Sequence, residues 1–247
     1  MEISLHDARF FKQCIDAVVN LVDEGSFTVG REGMHLRTMD PSQIAMVDFH
    51  LPKEAFKKLE AGEEVIGLNL VDLSKVLARS RSDENLKISL DEKESRLSLE
   101  FTGKSKRHFK LPLLDLGSTM PKEPKIPFDS TVKIKGGAFK EMLKDAGLLS
   151  SHVVLETTGD EFIVEAHGDS GDLRIETHKG SEDLNDLKVN AVSRAMYPYE
   201  YLDDMMRACP EDAVVELSLK TDAPVRIDYA IAHARLSYYL APRVESV

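Results

Sequence analysis

"ISLHDARFFKQCIDAVVNLV", residues 3–22, opens as a short strand and turns into a helix, with Phe10, Cys14, Ala17, Val18 and Leu21 at helical spacing. The frame returns 63 residues on, where Ile3, Leu5, Phe10, Gln13 and Cys14 fall on Ile66, Leu68, Leu73, Val76 and Leu77. It returns again at a shift of 129, with Ile3 and Leu5 on Val132 and Ile134, and Phe10, Cys14 and Ala17 on Phe139, Leu143 and Ala146. At the same shift Leu86, Ile88 and Leu90 fall on Val215, Leu217 and Leu219, and Phe109 and Leu111 on Tyr238 and Leu240. Self-similarity at a fixed period means a repeated structural unit. The expectation is an α+β chain of two similar domains, 1–116 and 129–247, each a doubled β-α-β-β-β unit, joined by a connector at 117–128.

Local patterns agree with the repeat. Helices are expected at 8–22, 71–81, 137–148 and 198–208. "FTV", "MHLRTM", "IAMVDFHL", "VIGLNL" and "RHFKLPLL" read as strands, and "NLKISLDEKESRLSLEF" as a hairpin. In the second half "TVKIKG", "GDLRIETH", "AVVELSL", "PVRIDYAI" and "ARLSYYLAP" are strands, and "VVLETTGDEFIVEAHGD" is a hairpin. Prolines at 121, 124 and 127 forbid helix or central strand in the connector, so it is extended.

The chain has 247 residues and a formal net charge of −11. No apolar run approaches the roughly 20 residues that span a bilayer, so no membrane association is expected. The N-terminal stretch lacks the basic-then-apolar order of a signal peptide. Cys14 and Cys209 lie far apart in apolar helical patterns and read as buried free thiols of an intracellular protein. An acidic chain repels nucleic acid unless its basic residues are gathered on one face.

"GKSKRHFK", residues 103–110, ends like a phosphate-binding loop. That motif needs a glycine five positions before the Gly-Lys-Ser and a helix after it. Position 98 is serine, and the residues after the Gly-Lys-Ser alternate like a strand. There is no GxSxG, no HExxH and no clustered histidine, so neither catalysis, a cofactor nor a metal site is expected. The helices each carry basic residues: Arg9 and Lys12, then Lys75, Arg79 and Arg81, then Lys140 and Lys144, then Arg207. Asp16, Asp72, Asp145, Asp203 and Asp204 share those helices, so charge alone leaves a solvated face and a DNA-contacting face as open alternatives.

"GMHLRTMDPSQIAMV" (33–47), "VIGLNLVDLSKVLARSRSDENLKISL" (65–90) and "ARLSYYLAPRV" (234–244) together resemble the signatures of proliferating cell nuclear antigen, the sliding-clamp family, over essentially the whole chain. The ending soon after "LAPRV" is similar to archaeal members. The resemblance implies a homotrimeric ring around double-stranded DNA, helices lining the hole and sheets outside, with no catalytic activity. It implies a cytoplasmic, nucleoid-associated protein in an archaeon and a nuclear one in a eukaryote. Lys12, Lys75, Lys144 and Arg207 match basic inner-face positions of the family; Arg9, Arg79, Arg81 and Lys140 join them by helix phase. Ala78 and Glu200 stand where the family often has a basic residue.

The resemblance also implies a pocket for partner peptides of the form Q-x-x-hydrophobic-x-x-aromatic-aromatic, as carried by DNA polymerase, clamp loader, flap endonuclease and DNA ligase. Carried over, its lining is Met39, Ile44, Met46 and Leu116 with Pro224, Tyr239, Ala241 and Pro242. Gln43 stands at its mouth, where eukaryotic members have histidine, and Met120, Ile126 and Phe128 of the connector add to its walls. "GKSKRHFK" becomes an edge strand that pairs with "GDLRIETHKG" of a neighbouring subunit. Phe109 and Leu111 would meet Leu173 and Ile175. Lys104, Lys106, Arg107 and Lys110 would face acids such as Glu165, Asp172, Glu176, Glu182 and Asp183. The rival readings are a clamp subunit that assembles only with paralogues and a monomeric enzyme on a doubled scaffold.

Overall fold

The computed structural model describes residues 1–91, 94–117 and 120–243. Residues 92–93 of the expected first-half hairpin, 118–119 of the connector and Val244 of the C-terminal signature lie outside the described residues. The chain divides into two compact units. The first comprises Met1–Pro41, Val47–Pro121 and Ile231–Arg235; the second comprises Ser42–Met46, Lys122–Ala230 and the chain from Leu236.

The first half runs β1 (Glu2–Leu5), α1 (Ala8–Val19), β2 (Glu24–Gly30), β3 (Gly33–Met39), β4 (Ala45–Pro52), β5 (Lys58–Glu60) and β6 (Glu64–Asn69). It continues with α2 (Leu70–Leu77), β7 (Asn85–Asp91), β8 (Arg96–Thr102) and β9 (Lys106–Pro112). The second half repeats this as β10 (Ser130–Lys135), α3 (Gly136–Gly147), β11 (His152–Thr157), β12 (Glu161–Gly168), β13 (Gly171–His178) and β14 (Leu184–Val189). It ends with β15 (Ser193–Pro198), α4 (Tyr199–Arg207), β16 (Val214–Leu219), β17 (Val225–Ile231) and β18 (Ala234–Leu240).

In the first unit the strands run in the orders β5-β1-β7-β8-β9 and β4-β3-β2-β6. In the second they run β14-β10-β16-β17-β18 and β13-β12-β11-β15. The two orders correspond strand for strand at the 129-residue shift. Within a unit the two copies interlock, because each copy lends its first strand to the other's sheet. Thus β1 pairs antiparallel with β7, Ile3 opposite Ile88, and β6 pairs antiparallel with β2, Ile66 opposite Phe27.

The helices are tied in the same reciprocal way. The first N–H groups of a helix have no partner inside it and must find an acceptor elsewhere. The amide of Ala8 opening α1 donates to Glu84 O (3.0 Å), past the end of α2; the amide of Leu70 opening α2 donates to Asp23 O (2.7 Å), past the end of α1. In the second unit Gly136 donates to Ala213 O (2.7 Å) and Tyr199 to Ser151 O (2.9 Å), the same exchange between α3 and α4. Side chains assist in the first unit only, where Asp7 and Asn69 cap α1 and α2.

Apolar burial fixes the helices onto the sheets. Phe11, Cys14 and Ile15 of α1 and Leu73 and Leu77 of α2 are buried with Phe27, Phe49 and Phe101. In the second unit Phe139, Leu143, Leu202 and Met205 play these parts, packed with Phe162 and Tyr197. Burial pushes the Cys14 and Cys209 thiols up to about 12, and both are free.

Three expectations need correction. Phe10 is only half-buried and Phe11 occupies the core, because α1 ends at Val19 and its apolar face is centred one residue later. Helix α2 stops at Leu77, short of residue 81, since Ser80 and Arg81 offer nothing to bury; Arg79 and Ser80 donate back to Val76 and Leu77 in a tightened last turn. Strands β5 and β14 add a short edge to each unit, and β15 stands where the repeat requires it although its sequence does not announce a strand.

Gly136 sits where α3 meets the chain beyond α4, and a Cβ there would lie 2.5 Å from Pro210 O and 3.0 Å from Cys209 Sγ. Gly136→Ala is expected to cost about 2 kcal/mol through this overlap and to lower Tm by about 4–8 °C. A melting temperature equal to the parent's would show that the contact can relax.

Candidate functional site

Three groups of side chains were expected to carry function. The helix cations come first. Arg9 lies beside Asp7 (3.7 Å), Lys12 is bonded to Asp16, and Lys75 to Asp72 (3.1 Å). Lys144 is bonded to Glu141 (2.6 Å), and Arg207 to Asp203 (3.0 Å) and Asp204 (2.6 Å). Lys140 donates to the carbonyls of Arg207 (3.5 Å) and Cys209. Thus every one of these cations on a helix proper already has an oxygen partner within its own unit. Arg79 and Arg81 lie beyond the end of α2, and both are exposed.

The second group surrounds the β3–β4 turn and the connector. On the outer face of β3 and β4, Asp48 accepts from His35 (2.6 Å) and from Arg37 Nε (2.7 Å). Burial works to raise the Asp48 carboxyl, but His35 and Arg37 outweigh it and hold it below the usual carboxylate range. Gln43 occupies the left-handed region (φ 59°) at the exposed turn, followed by half-buried Ile44. In the second unit the amide of Ala241 donates to Ile44 O (2.8 Å), which fixes the turn against the end of β18. Met46 and Tyr239 are buried; Pro224, Ile126, Phe128, Ala241 and Pro242 are half-buried. In the first unit Met39 and Met120 are half-buried and Leu116 is 41% exposed. There Leu114 bridges to Gly67, whose missing side chain admits the approach: a Cβ would lie 2.2 Å from Leu114 O.

Sequence reasoning missed the tether of the connector. Tyr239 Oη donates to Glu123 Oε1 (2.7 Å), the guanidinium of Arg226 lies 5.7 Å from the Tyr239 ring centroid, and Asp228 holds Arg226 at 2.8 Å. Burial, then the Glu123 bond, pushes the Tyr239 phenol well above its ordinary value. Lys220 Nζ donates to Pro127 O (3.3 Å) further along. Glu123 and Tyr239 are 116 positions apart, so no local spacing could have paired them.

The third group lies on two edge strands. Among the described residues β9 pairs only with β8, and β13 only with β12. Along β9 Arg107, Phe109 and Leu111 are half-buried, alternating with exposed neighbours; along β13 Leu173 and Ile175 are half-buried likewise. Phe109 packs edge-on against Phe101 at 5.6 Å. The charges intended for a neighbour are engaged at home. Lys106 is bonded to Glu100 (3.3 Å), Lys110 to Glu94 (2.6 Å), and Arg107 to the buried Glu84 (2.5 Å). Glu165 is held by Arg174 and by Arg194 (2.6 Å), Glu176 by Arg174 (2.6 Å), and Asp172 by His167 (2.8 Å). Glu182 and Asp183 share Lys135 (3.4 and 3.3 Å).

A doubled unit with paired helices, two unlike free edges and a strapped connector is a specific combination. Comparison with family models accounts for it end to end: residues 1–119 match the N-terminal domain of proliferating cell nuclear antigen and residues 122–244 its C-terminal domain. The chain belongs to the proliferating cell nuclear antigen family. This family member is 35% identical over 243 residues, 97% of the chain and 98% of the relative, to a Methanococcus vannielii protein named DNA polymerase sliding clamp. Its fold matches the crystal structure of proliferating cell nuclear antigen from Thermococcus kodakaraensis with a TM-score of 0.93 at 28% identity, covering 98% of this chain and 99% of that one. It also matches the A. fulgidus antigen, solved bound to the C-terminal region of FEN-1, with a TM-score of 0.90 at 24% identity over 100% and 99% of the two chains.

The Asp48 network and the connector tether can each be tested. Asp48's folded pKa is depressed, so its stabilisation is present at neutral pH and is lost as pH falls through and below the ordinary carboxylate range of about 4. Asp48→Asn should flatten stability against pH on the acid side, measured by urea unfolding; an unchanged acid limb would acquit this network. Glu123→Ala should speed hydrogen exchange at backbone amides of the connector while leaving the melting temperature within about 2 °C. Unaltered exchange would place the tether elsewhere.

Proposed function

We propose that this chain is the subunit of a DNA sliding clamp: three copies close into a ring that encircles duplex DNA and tethers replicative polymerase and other DNA-processing enzymes. The observation that carries the reading is the match of both halves, end to end, to the two domains of one family. The fourfold-repeated unit supports it, since a trimer of doubled domains presents near-sixfold symmetry to a near-uniform cylinder. It acts by tethering, not by catalysis. Binding to DNA is through phosphates and independent of sequence.

Ring closure would join β9 of one copy to β13 of the next, an edge-to-edge addition of strands. The half-buried Phe109 and Leu111 on one edge, and Leu173 and Ile175 on the other, support this. Because Lys106, Arg107 and Lys110 on one edge, and the acids on the other, are already paired within the chain, backbone hydrogen bonds and these apolar residues would carry closure, with Lys104 alone of the four basic residues left for an ion pair with a neighbour.

Partners would dock at the apolar residues around Ile44, Tyr239, Ala241 and Pro242, beside the connector. A relative was solved with the C-terminal region of FEN-1, which supports a flap endonuclease tail as one occupant. DNA polymerase, clamp loader and DNA ligase would use the same short motif.

Sedimentation of the pure protein at micromolar concentration should give a trimer, and Ile175→Asp should give a monomer. A parent chain that is monomeric until mixed with a paralogue would replace the homotrimer by a heteromeric ring. Ile44→Arg should weaken a Q-x-x-I-x-x-F-F peptide at least tenfold in calorimetry, about 1.4 kcal/mol, with the trimer intact. Normal binding by that variant would refute the pocket assignment.

A further inference from the structure

The apolar residues proposed to receive partners have a polar corner, all of it within the second unit. Tyr239 lies two residues before Ala241, whose amide is bonded to Ile44 O. Its ring is buried and its hydroxyl donates to Glu123 Oε1 (2.7 Å). β17 runs beside β18 and brings Arg226 over that ring, its guanidinium 5.7 Å from the centroid. Asp228 takes the Nε of Arg226 (2.8 Å) and itself accepts from Ser237 Oγ, which fixes the guanidinium in place. Among the described residues the two terminal nitrogens of Arg226 have no hydrogen-bond partner.

A phenol donor beside a fixed guanidinium is a receptor for a carboxylate. Burial and the Glu123 bond keep the phenol protonated, so it stays a donor. The charge of Glu123 acts on Arg226 as well. Yet Glu123 differs from the rest of the corner. Tyr239 is buried and Arg226 half-buried, whereas Glu123 is exposed, on a connector that its prolines keep extended. Its neighbours Lys122 and Lys125 are exposed too, and among the described residues neither forms an ion pair. An exposed carboxylate can turn into water and give up its hydrogen bond, and a second carboxylate arriving at the corner would restore it. The two lysines would favour that arrival on a chain that is otherwise acidic.

We propose that Tyr239 and Arg226 form a carboxylate subsite of the partner-docking surface, which Glu123 fills until a docking peptide brings an acidic side chain of its own. This rests on the docking reading and deepens it, because it gives the partner a chemical class: a short peptide with an aspartate or glutamate beside its apolar anchors. Glu123 is an internal stand-in for that residue and makes docking selective. An acidic peptide replaces it and leaves the phenol satisfied. A neutral peptide gains nothing at the corner.

The test uses the whole protein and a series of Q-x-x-I-x-x-F-F peptides in which each x in turn is Asp or Asn, measured by calorimetry at low and high salt. At one position the Asp peptide should bind the parent at least about fivefold tighter than its Asn twin. Glu123→Ala, which empties the corner, should tighten that Asp peptide about threefold further. Tyr239→Phe, which keeps the ring and removes the donor, should bring the Asp-to-Asn ratio close to one. Glu123 is exposed, so its arm of the test stands even if Tyr239→Phe folds poorly. No preference for Asp at any position would overturn the subsite. Weaker binding of the Asp peptide to Glu123→Ala would overturn it too, by showing that the tether shapes the connector for docking. A preference that survives Tyr239→Phe and fades with salt would assign the effect to Lys122 and Lys125 instead. Failure of the underlying reading looks different: a parent protein that binds none of these peptides sinks the docking surface itself, whereas equal binding of Asp and Asn peptides sinks only the subsite.

Discussion

The reciprocal clasp between paired helices is the constraint that organises the rest of the molecule. Each helix begins under the point where its partner has ended, and its first amide bonds to the chain there. That exchange sets the two helices side by side and fixes where the strands beyond them start. The strands must then interleave, since the first strand of each copy lies alongside the second strand of the other. Neither copy can form its sheet alone. Glu84 concentrates this logic: its carbonyl holds the start of α1, while its carboxylate holds both the exit from α2 and the start of β9. Helix pairing and edge-strand placement therefore share one residue.

The second unit solves the same problem with different chemistry. α1 and α2 have Asp7 and Asn69 as caps, whereas α3 and α4 open without a side-chain cap and rely on the backbone clasp. The glycine at 136 brings the chain beyond α4 closer than any side chain would permit. Buried polar groups then find partners inside. Tyr229 and Tyr238 share a hydrogen bond of 2.9 Å, and Tyr229 also donates to Met205 O at 2.9 Å. Such satisfied pairs let hydroxyls sit in an apolar core without the penalty of an unmet donor.

Much of this was legible because it is periodic. The repeat of apolar positions at 63 and 129 residues requires only that core positions stay apolar, and it located all four helices and most strands. What periodicity could not resolve was phase and ending. Phe10 and Phe11 are adjacent and equally apolar, so the choice between them depends on where the helix meets the sheet. β5 is three residues, "KLE", and its strand character comes from its place beside β1, not from its composition. Polar side-chain pairs divided in the same manner. Lys12 with Asp16 and Arg207 with Asp203 stand one helical turn apart and can be read directly. Arg107 with Glu84, and Tyr239 with Glu123, are joined by folding alone, and these two decide which charges and which connector residues are free to act.

The tether of the connector has an optical side. The chain contains no tryptophan and six tyrosines, so its ultraviolet emission comes from phenols alone. A phenol whose hydroxyl is bonded to a carboxylate can pass its proton to that acceptor in the excited state, and its ordinary emission is quenched. Tyr239 should therefore be a dark tyrosine while Glu123 holds it. The protein carries a native fluorophore at the place where the connector meets β18, so the state of this bond can be read without a label.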